Sequence, residues 1–395
     1  MIQMLIISLP MLVCIFCSAL LLLDWWEQRI RAKAQLFVFM LVAAVLYGGH
    51  FIFFNHLQKL IPVTDTIYCM ANLAVFPLYY FYIKEVTEEQ RKKHWQVTLL
   101  LPALLTGLVV GTLYCLMDKQ ETLAFMDTFL YQGSMSNLGD YAKAQAIVHI
   151  SIKFLFALMV LPILVKGVRK IKHFNRMVET NYADTDLRKM YMAKTILILF
   201  IVACIVSFTA NILGRDLFDH VPWLVVIPSL TFSTLLFLLG YAGHRQNFTI
   251  ENLMLETANE PMPTSVDEPQ TEEEKADRIE RIKKEITEAV EKERMFLLQD
   301  LKINDIANLL HTNRDYIYQA VNVRMGMSFS EYINRLRVDF AAQLMDENPK
   351  MTAHELALRS GFSSVASFYR NFKLYKGCPP LNYMKGQTTQ DETQE

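Results

Sequence analysis

Long apolar stretches dominate the first two thirds of the chain, and a polar, charge-rich pattern replaces them after about Arg245. The core of a bilayer is about 30 Å thick, so a helix needs roughly 20 residues to cross it. Stretches that meet this requirement lie near residues 4–23, 35–54, 66–83, 97–117, 147–165, 193–213 and 222–241. The pattern predicts seven transmembrane helices in residues 1–245, followed by a separate polar region.

Basic residues are concentrated in the loops after the first, third and fifth predicted spans. These loops carry Arg29, Arg31 and Lys33, then Lys84, Arg91, Lys92 and Lys93, then Lys166, Arg169, Lys170, Lys172, Arg176, Arg188 and Lys189. The alternate loops carry far fewer basic residues. Loops rich in lysine and arginine stay on the cytoplasmic side of a membrane. We therefore expect the N-terminus outside and the C-terminus in the cytoplasm.

Composition and cysteine usage refine this picture only slightly. The chain is 52% hydrophobic and 20% charged, and its net charge of −1 favours no class of partner. Five of the six cysteines lie in apolar runs, where a free thiol packs like a small hydrophobic side chain. Cys14 and Cys17 form a C-x-x-C pair, but a metal or redox site would need further ligands in a polar setting. We predict neither a metal site nor a cofactor.

Four polar residues fall inside the predicted spans: Asn72 in the third, His149 and Lys153 in the fifth, and Asn211 in the sixth. Polar groups at membrane depth are costly and often mark a functional site. We consider them an intramembrane site for a signal. Lys153 could instead extend its amine to the outer surface. The same residues also fit a rival hypothesis, a transporter or membrane enzyme with an accessory cytoplasmic domain.

The polar region begins with an acidic stretch that contains Pro261, Pro263 and Pro269 and has almost no residues for a core. This composition predicts a flexible linker over residues 246–277. Isoleucines then recur at helical spacing, at residues 279, 282 and 286. They could pack on their own domain or form a coiled-coil seam. Fewer than three heptads are available, which favours packing.

The stretch "HELALRSGFSSVASFYRNFK" has the pattern of two short helices joined by a tight turn. Leu356 faces inward in the first helix and Gly361 permits the turn. Ser363 can cap the second helix, whose Phe368 and Phe372 face the core. The outer face of that helix carries Ser364, Val365, Ser367, Arg370 and Lys373. Small, hydroxyl-bearing and basic side chains of this kind suit contacts with phosphates and base edges.

The stretch "LKINDIANLLHTNRDYIYQAVN" repeats this architecture. His311 and Thr312 make the turn, Asn313 can cap the second helix, and Ile317 and Val321 face inward. Its outer face presents Arg314, Asp315, Tyr318, Gln319 and Asn322. Between the two units, "SFSEYINRLRVDFAAQLMDEN" keeps an apolar stripe, which predicts one long connecting helix.

Residues 278–385 resemble the AraC family of bacterial transcription regulators. The motifs "GMSFSEYINRLRV", "ELALRSGFSS", "SFYRNFK" and "KGCPPLNY" carry the resemblance. The residues at signature positions are Gly326, Phe329, Arg337, Gly361, Phe362, Phe368, Phe372, Pro380 and Tyr383. The run "TNRDYIYQAVN" is similar to the subtype found on membrane-tethered sensor-regulators.

The resemblance implies two recognition helices that enter successive major-groove segments roughly 34 Å apart. By motif position, the base-facing residues are Asp315, Tyr318, Gln319 and Asn322 in the first unit and Ala366, Ser367 and Arg370 in the second. The sequence departs from the family pattern at His311, where glycine is frequent, at Lys376 and at Met384. These departures affect local geometry and phosphate contacts more than the fold.

Together these observations predict an all-α protein with four parts. They are a seven-helix membrane region (1–245), an acidic linker (246–277), an AraC-type DNA-binding domain (278–386) and a polar tail (387–395). We expect a non-enzymatic, one-component regulator of the bacterial inner membrane that couples a membrane or extracellular signal to transcription. Its expected partners are double-stranded DNA, membrane lipids and RNA polymerase. The signal, the target promoters, the direction of regulation, homodimer formation and release by proteolysis stay open.

Overall fold

The computed structural model describes residues 2–88, 94–186, 188–190, 202, 205–206, 222–258 and 271–384. Within these ranges the regular elements are helices, and one isolated β-bridge joins Tyr182 to Lys302. The predicted all-α class is confirmed. The chain divides into two compact units: residues 1–172 with 190–250, and residues 173–189 with 251–395.

The first unit is built from long apolar helices. They are α1 (Ile2–Gln28), α2 (Arg31–Phe54), α3 (Ile61–Thr87), α4 (Leu101–Leu116), the short α5 (Lys119–Ala124), α6 (Asp140–Asn181) and α7 (Val226–Arg245). The last residues of α6, from His173, belong to the second unit. Proline occupies a tolerated place in the first turn of α3 and of α4, where its missing N–H has no intrahelical partner.

Six described helices are long and apolar enough to cross a membrane. They coincide with six of the seven predicted spans, and the span predicted at 193–213 lies outside the described residues. Cys14 and Cys17 are buried among apolar neighbours, which agrees with a packing role. Phe154, Leu158 and Leu161 on α6 are each at least 70% exposed. A row of exposed apolar side chains is what a lipid-facing helix presents.

The second unit contains seven helices within its described residues. After α8 (Ile250–Ala258), which begins at the boundary, they are α9 (Glu272–Thr287), α10 (Ile303–Leu309), α11 (Arg314–Tyr318), α12 (Phe329–Glu347), α13 (Ala353–Arg359) and α14 (Val365–Lys376). Helix α12 is the predicted connecting helix. It contributes Phe329 and Ile333 to one core and Val338 and Met345 to another.

The first of these cores contains the isoleucines of α9. Ile279, Ile282 and Ile286 are buried against residues of α10 and α11. This confirms that they pack on their own domain, and it leaves no apolar stripe on α9 for a coiled-coil partner. The second core joins Leu356 of α13 to Phe368 and Phe372 of α14, as the hydrophobic pattern predicted.

The segment predicted as a flexible linker is helical at both ends. Helix α8 occupies Ile250–Ala258, where Ile250 and Leu253 are buried. Helix α9 already begins at Glu272, because Thr271 and Glu274 form a reciprocal capping box. The residues between 258 and 271, which include the three prolines, lie outside the described ranges.

Candidate nucleic-acid interface

The first helix-turn-helix unit is formed by α10 and α11. The turn passes through His311, whose φ of +47° lies in the left-handed region, the region in which the AraC pattern favours glycine. Asn313 then caps α11 by accepting a hydrogen bond from the Asp315 amide at 3.0 Å. Helix α11 continues as a wider π-helical turn over Gln319–Arg324. Cap and turn both lie where the sequence placed them.

The predicted DNA-facing residues of this unit lie on its outer side. Asp315 and Tyr318 are exposed, whereas Arg314, Gln319 and Asn322 are half-buried. The carbonyl oxygen of the Asn322 side chain is buried and has no hydrogen-bond partner in the described part of the chain. A π-helical turn reorients the side chains it carries, because it adds one residue to the hydrogen-bonded ring. Because this oxygen is buried, it is not accessible to DNA in this conformation.

The second unit is formed by α13 and α14, and its turn is the more tightly packed of the two. Gly361 has a φ of +83°, and a Cβ at this position would lie 2.8 Å from the backbone of Leu297. Thr352 and Glu355 form a capping box at the start of α13. The carboxylate of Glu355 accepts a hydrogen bond from the Thr352 amide, which lowers the pKa of Glu355.

Two sequence predictions in this unit are wrong. The cap of α14 is Ser364 and not Ser363, since the Ser364 hydroxyl accepts from the Ser367 amide at 3.1 Å. Ser367 is not exposed: only 6% of its surface is accessible, and its hydroxyl lies 3.4 Å from both Arg370 and Asn371. Ser367 therefore helps to hold the two longer side chains in place and does not face outward.

Four other predicted residues of α14 do lie on its outer face: Ser364, Ala366, Arg370 and Lys373 are exposed. Arg370 is in direct contact with the carboxylate of Asp186, and the Ser364 hydroxyl lies 3.5 Å from the same group. Asp186 belongs to the segment that follows α6, and this segment is part of the second compact unit. An acidic side chain therefore occupies the position next to a predicted base-reading arginine.

The segment around Asp186 is integrated into the domain. The Ala183 amide donates to the Leu301 carbonyl at 3.0 Å. The Ala183 carbonyl accepts from Ser330 and from Asn334 of α12, at 3.1 and 3.2 Å. Arg188 pairs with Asp300 at 2.8 Å. No pattern in the sequence indicated this docking, because these residues were read only as a basic loop between two spans.

Arg337, at a signature position of the AraC pattern, joins the connecting helix α12 to the segment at residues 296–298. Its guanidinium is buried and donates to the carbonyls of Phe296 and Leu298, each at 2.7 Å. Burial lowers the pKa of Arg337 to about 10, with the nearby carboxylate of Asp184 acting in the opposite direction. Lys376, which departs from the family pattern, pairs with Asp339 at 2.8 Å, and this bond raises the pKa of Lys376.

The structure describes three of the four candidate intramembrane residues, His149, Lys153 and Asn72. His149 lies against Asp65 and Cys69 of α3, with its Nε2 atom 2.8 Å from the Asp65 carboxylate. Lys153 is exposed one turn further along α6, and Asn72 is half-buried. Asn211 lies outside the described residues. Sequence reasoning missed Asp65 because the predicted third span began at residue 66.

Comparison with known proteins agrees with this geometry. Residues 306–386 match the family described as a helix-turn-helix domain. No solved structure matches the chain. The matched range begins within α10 and extends past the end of α14, so most of the first helix-turn-helix unit, the connecting helix α12 and the whole second unit fall inside it.

Two curated relatives carry names that describe gene regulation. The Msm operon regulatory protein of Streptococcus mutans serotype c is 35% identical over 85 residues, which are 22% of this chain and 30% of the relative. The melibiose operon regulatory protein of Escherichia coli K12 is 31% identical over 87 residues, 22% of this chain and 28% of the relative. The match therefore covers less than a third of either relative.

Proposed function

From the premise that residues 306–386 form an AraC-type double helix-turn-helix domain, we propose that the chain is a membrane-bound, sequence-specific transcription regulator. It senses a membrane or extracellular signal and transmits it without a diffusible messenger. The supporting observation is the pair of capped outer helices, α11 and α14, on one connecting helix. Their outer faces carry the residue types that read DNA.

Each unit has side chains suited to direct base readout. Gln319 in the first unit can form two hydrogen bonds with adenine, and Arg370 in the second can do so with guanine. Lys373 is exposed beside Arg370, where it suits contacts with the DNA backbone, and Tyr318 is exposed beside Gln319 as a predicted base-facing residue. We assign Arg314, Asp315 and Asn322 to the first contact surface, and Ser364 and Ala366 to the second.

The six apolar helices support location in the bacterial inner membrane, with the DNA-binding domain in the cytoplasm. Tethering restricts the domain to the volume close to the membrane. A signal that alters the helical bundle or its association into dimers then changes how many reading units reach one operator, since tethering raises their effective concentration. RNA polymerase is the expected downstream partner.

Genome-wide DNA occupancy tests this proposal. Full-length protein and a Gln319→Ala, Arg370→Ala double variant are crosslinked to DNA in the native host, and the bound fragments are sequenced. We expect discrete peaks that share a motif and are lost in the variant. The matched control is Gln343→Ala, since Gln343 is exposed on the connecting helix α12, away from both reading helices. Absence of peaks under every growth condition, or peaks unaffected by the double variant, contradicts the proposal.

A further inference from the structure

Three side chains with metal-ligating atoms meet in the first compact unit, the one built from the long apolar helices. They are Asp65 and Cys69 on α3 and His149 on α6. Their ligand atoms all lie within 4.8 Å of one another. Asp65 and Cys69 are four residues apart, so one helix face presents both. Cys69 is only 2% exposed, and the side chains of Asp65 and His149 are 13% and 12% exposed. The cluster is therefore largely shielded from solvent.

The hydrogen bonds of His149 define the role of its second nitrogen. Nδ1 lies 2.9 Å from the Gln145 carbonyl oxygen, which can only accept, so Nδ1 carries a hydrogen. In the neutral ring Nε2 then presents a lone pair, and it faces the Asp65 carboxylate at 2.8 Å. Two acceptors at this distance require a cation between them, either a proton or a metal ion. A backbone bond to the other ring nitrogen is the usual support of a metal-binding histidine.

The surroundings add two further polar groups. Tyr114 of α4 donates to the Asp65 carboxylate at 2.9 Å, which orients that carboxylate. The side chain of Gln145 is fully buried and lies beside the Tyr114 hydroxyl. Gln145 lies one turn before His149 on the same face of α6. Tyr114 and Gln145 thus surround the three ligating side chains with polar groups that can orient them.

We propose that Asp65, Cys69 and His149 bind a divalent transition-metal ion of the zinc type. Around a tetrahedral zinc, with bonds of about 2.0 to 2.3 Å, nitrogen, oxygen and sulfur ligands lie roughly 3.3 to 3.6 Å apart. The Cys69 sulfur already lies 3.6 Å from His149 Nε2. The pair of Asp65 and His149, at 2.8 Å, has to open by about 0.5 Å.

The ligand types select the class of ion. A thiolate and an imidazole favour zinc and its neighbours in the transition series, whereas magnesium and calcium require mainly oxygen ligands. Asp65 lies near the start of α3, and His149 lies in the third turn of α6. Both helix starts are extracellular in the predicted orientation. In this proposal the ion is the signal that the protein senses. That role rests on the proposed function, whereas the metal site itself does not.

Metal uptake by the full-length protein in lipid nanodiscs tests the site without any DNA. We expect about one zinc ion per chain at buffered free zinc, measured by mass spectrometry, and a thiolate-to-metal absorption band with cobalt. Cys69→Ser and His149→Gln should each weaken binding at least tenfold. Tyr114→Phe, which removes only a supporting bond, should weaken it less. Cys115→Ser is the matched control, since Cys115 is an exposed thiol on α4, and its affinity should be unchanged.

Several results would overturn the metal site. Absence of zinc binding by the unmodified protein means that the Asp65–His149 pair holds a proton. Equal affinity of the unmodified protein and both ligand variants, or loss of zinc in Cys115→Ser, places the ion elsewhere. The Tyr114→Phe variant retains all three ligands, so its binding separates loss of the site from loss of folding. Failure of the DNA occupancy experiment leaves the metal result standing.

A second inference rests on the contact between Arg370 and Asp186. We infer that the segment from His173 to Lys189 masks the second reading helix in the DNA-free protein. Its acidic Asp186 contacts both Arg370 and the helix cap Ser364. Base edges or phosphates that approach Arg370 would have to displace this carboxylate. A carboxylate and a phosphate compete for the same guanidinium donors.

The same segment also borders the first reading helix. A cleft of about 500 Å³ lies within the second compact unit. It is lined by Glu179 and Thr180 of α6 and by Tyr318 and Asn322 of the first helix-turn-helix unit. Glu179, whose carboxylate pairs with Lys189 at 2.6 Å, thus lies next to predicted base-facing residues, and Arg176 lines the same cleft. Because these residues continue directly from α6, a shift of that helix changes the exposure of both reading helices. This regulatory role rests on the proposed function.

DNA affinity of the full-length protein tests the masking. Removal of the negative charge in Asp186→Asn should tighten binding to a fluorescent operator duplex about two- to fivefold, the range expected for a partly exposed ion pair. Glu288→Gln is the control, because it removes one negative charge from an ion pair with Lys292, outside both reading helices. In an Arg370→Gln background, Asp186→Asn should have no effect.

Two outcomes contradict this inference in distinguishable ways. Equal gains in Asp186→Asn and Glu288→Gln mean that net charge, and not masking, limits binding. If neither the unmodified protein nor any variant binds a duplex at low salt, the proposed function fails, and the masking fails with it.

Discussion

The turns of the two helix-turn-helix units have a similar backbone conformation but are formed by different residues. Both turns need a left-handed backbone, with φ of +47° at His311 and +83° at Gly361. His311 is exposed, whereas the Cα hydrogens of Gly361 face the backbone of Leu297. A left-handed residue other than glycine costs about 1–2 kcal/mol, which a domain can tolerate. Close packing, more than backbone conformation, therefore makes glycine necessary in the second unit.

The predicted DNA-facing side chains are also more constrained in the second helix-turn-helix unit than in the first. The first unit presents Asp315 and Tyr318 to solvent and leaves an oxygen of Asn322 without a partner among the described residues. The second unit holds Arg370 against Asp186. The second unit is thus the more constrained of the two, both at its turn and at its reading helix. Substitutions in the two units should accordingly have unequal effects.

The largest difference should come from glycine substitution. Gly361→Ala introduces a Cβ at 2.8 Å from the Leu297 backbone and should lower the free energy of unfolding of the second unit by about 3 kcal/mol. Gly326→Ala is the control, because Gly326 also has a positive φ but faces open space, and it should cost only about 1 kcal/mol. Amide hydrogen exchange in the full-length protein measures both, on α14 for Gly361→Ala and on α11 and the start of α12 for Gly326→Ala. Equal losses would show that backbone strain alone governs the turn.

Next in size is the loss of base contacts. Gln319→Ala should reduce discrimination between the operator and a single-base variant by about 1–3 kcal/mol. Arg370→Ala should weaken binding to all sequences more evenly, because α14 carries few other hydrogen-bonding groups on its outer face, with Ala366 beside Arg370. Competition binding with a set of altered operators separates affinity from specificity. Loss of specificity in both variants to the same degree would contradict a division of roles.

A smaller effect is expected from His311→Gly in the first turn. Glycine relieves the left-handed strain but increases the freedom of the unfolded chain, so the net gain in stability should be about 0.5–1 kcal/mol. Amide exchange of α10 and α11 gives the value. A loss of stability would mean that the imidazole of His311 makes a stabilising contact that its exposure does not suggest.

The smallest effect is a pH dependence at the start of α13. The Glu355 pKa is lower in the folded protein than in the unfolded chain, so the carboxylate stabilises the fold above its unfolded pKa of about 4.3. This contribution is lost as the pH falls through the lowered, folded value. Amide exchange in the first turn of α13 should therefore speed up in acid beyond its intrinsic rate. Glu355→Gln should remove that dependence, and an unchanged pH profile in this variant would assign it to another group.

Hydrophobic periodicity predicted most of the fold correctly. Six spans, the connecting helix α12 and the inward positions of both helix-turn-helix units depend on spacing along one helix, which the sequence displays directly. The sequence placed the cap of α14 one residue too early, because two consecutive serines, Ser363 and Ser364, can both cap a helix. Ser367, which the sequence placed on the outer face, is buried and bonds to Asn371 on the inward side of α14.

Contacts between distant residues could not be predicted in this way. Cys69 and His149 are 80 residues apart, and Asp186 and Arg370 are 184 apart. Neither pair lies on a shared helix, so no periodicity connects them. The apolar run around Cys69 indicated a packing thiol, and the basic residues near Asp186 indicated only a cytoplasmic loop. Both interpretations describe the local sequence correctly and miss its partners.

The docking of Ala183 on Leu301 has a consequence for genetic analysis. The bond between them joins a main-chain amide to a main-chain carbonyl, and the Ala183 carbonyl receives two more bonds. An alanine scan removes the two side-chain donors, Ser330 and Asn334, but it leaves the bond from the Ala183 amide to the Leu301 carbonyl in place, and at position 183 it changes nothing at all. A screen that relied on side-chain truncation would thus miss the backbone part of this attachment. Ala183→Pro, which removes the amide hydrogen, is the substitution that would reveal it.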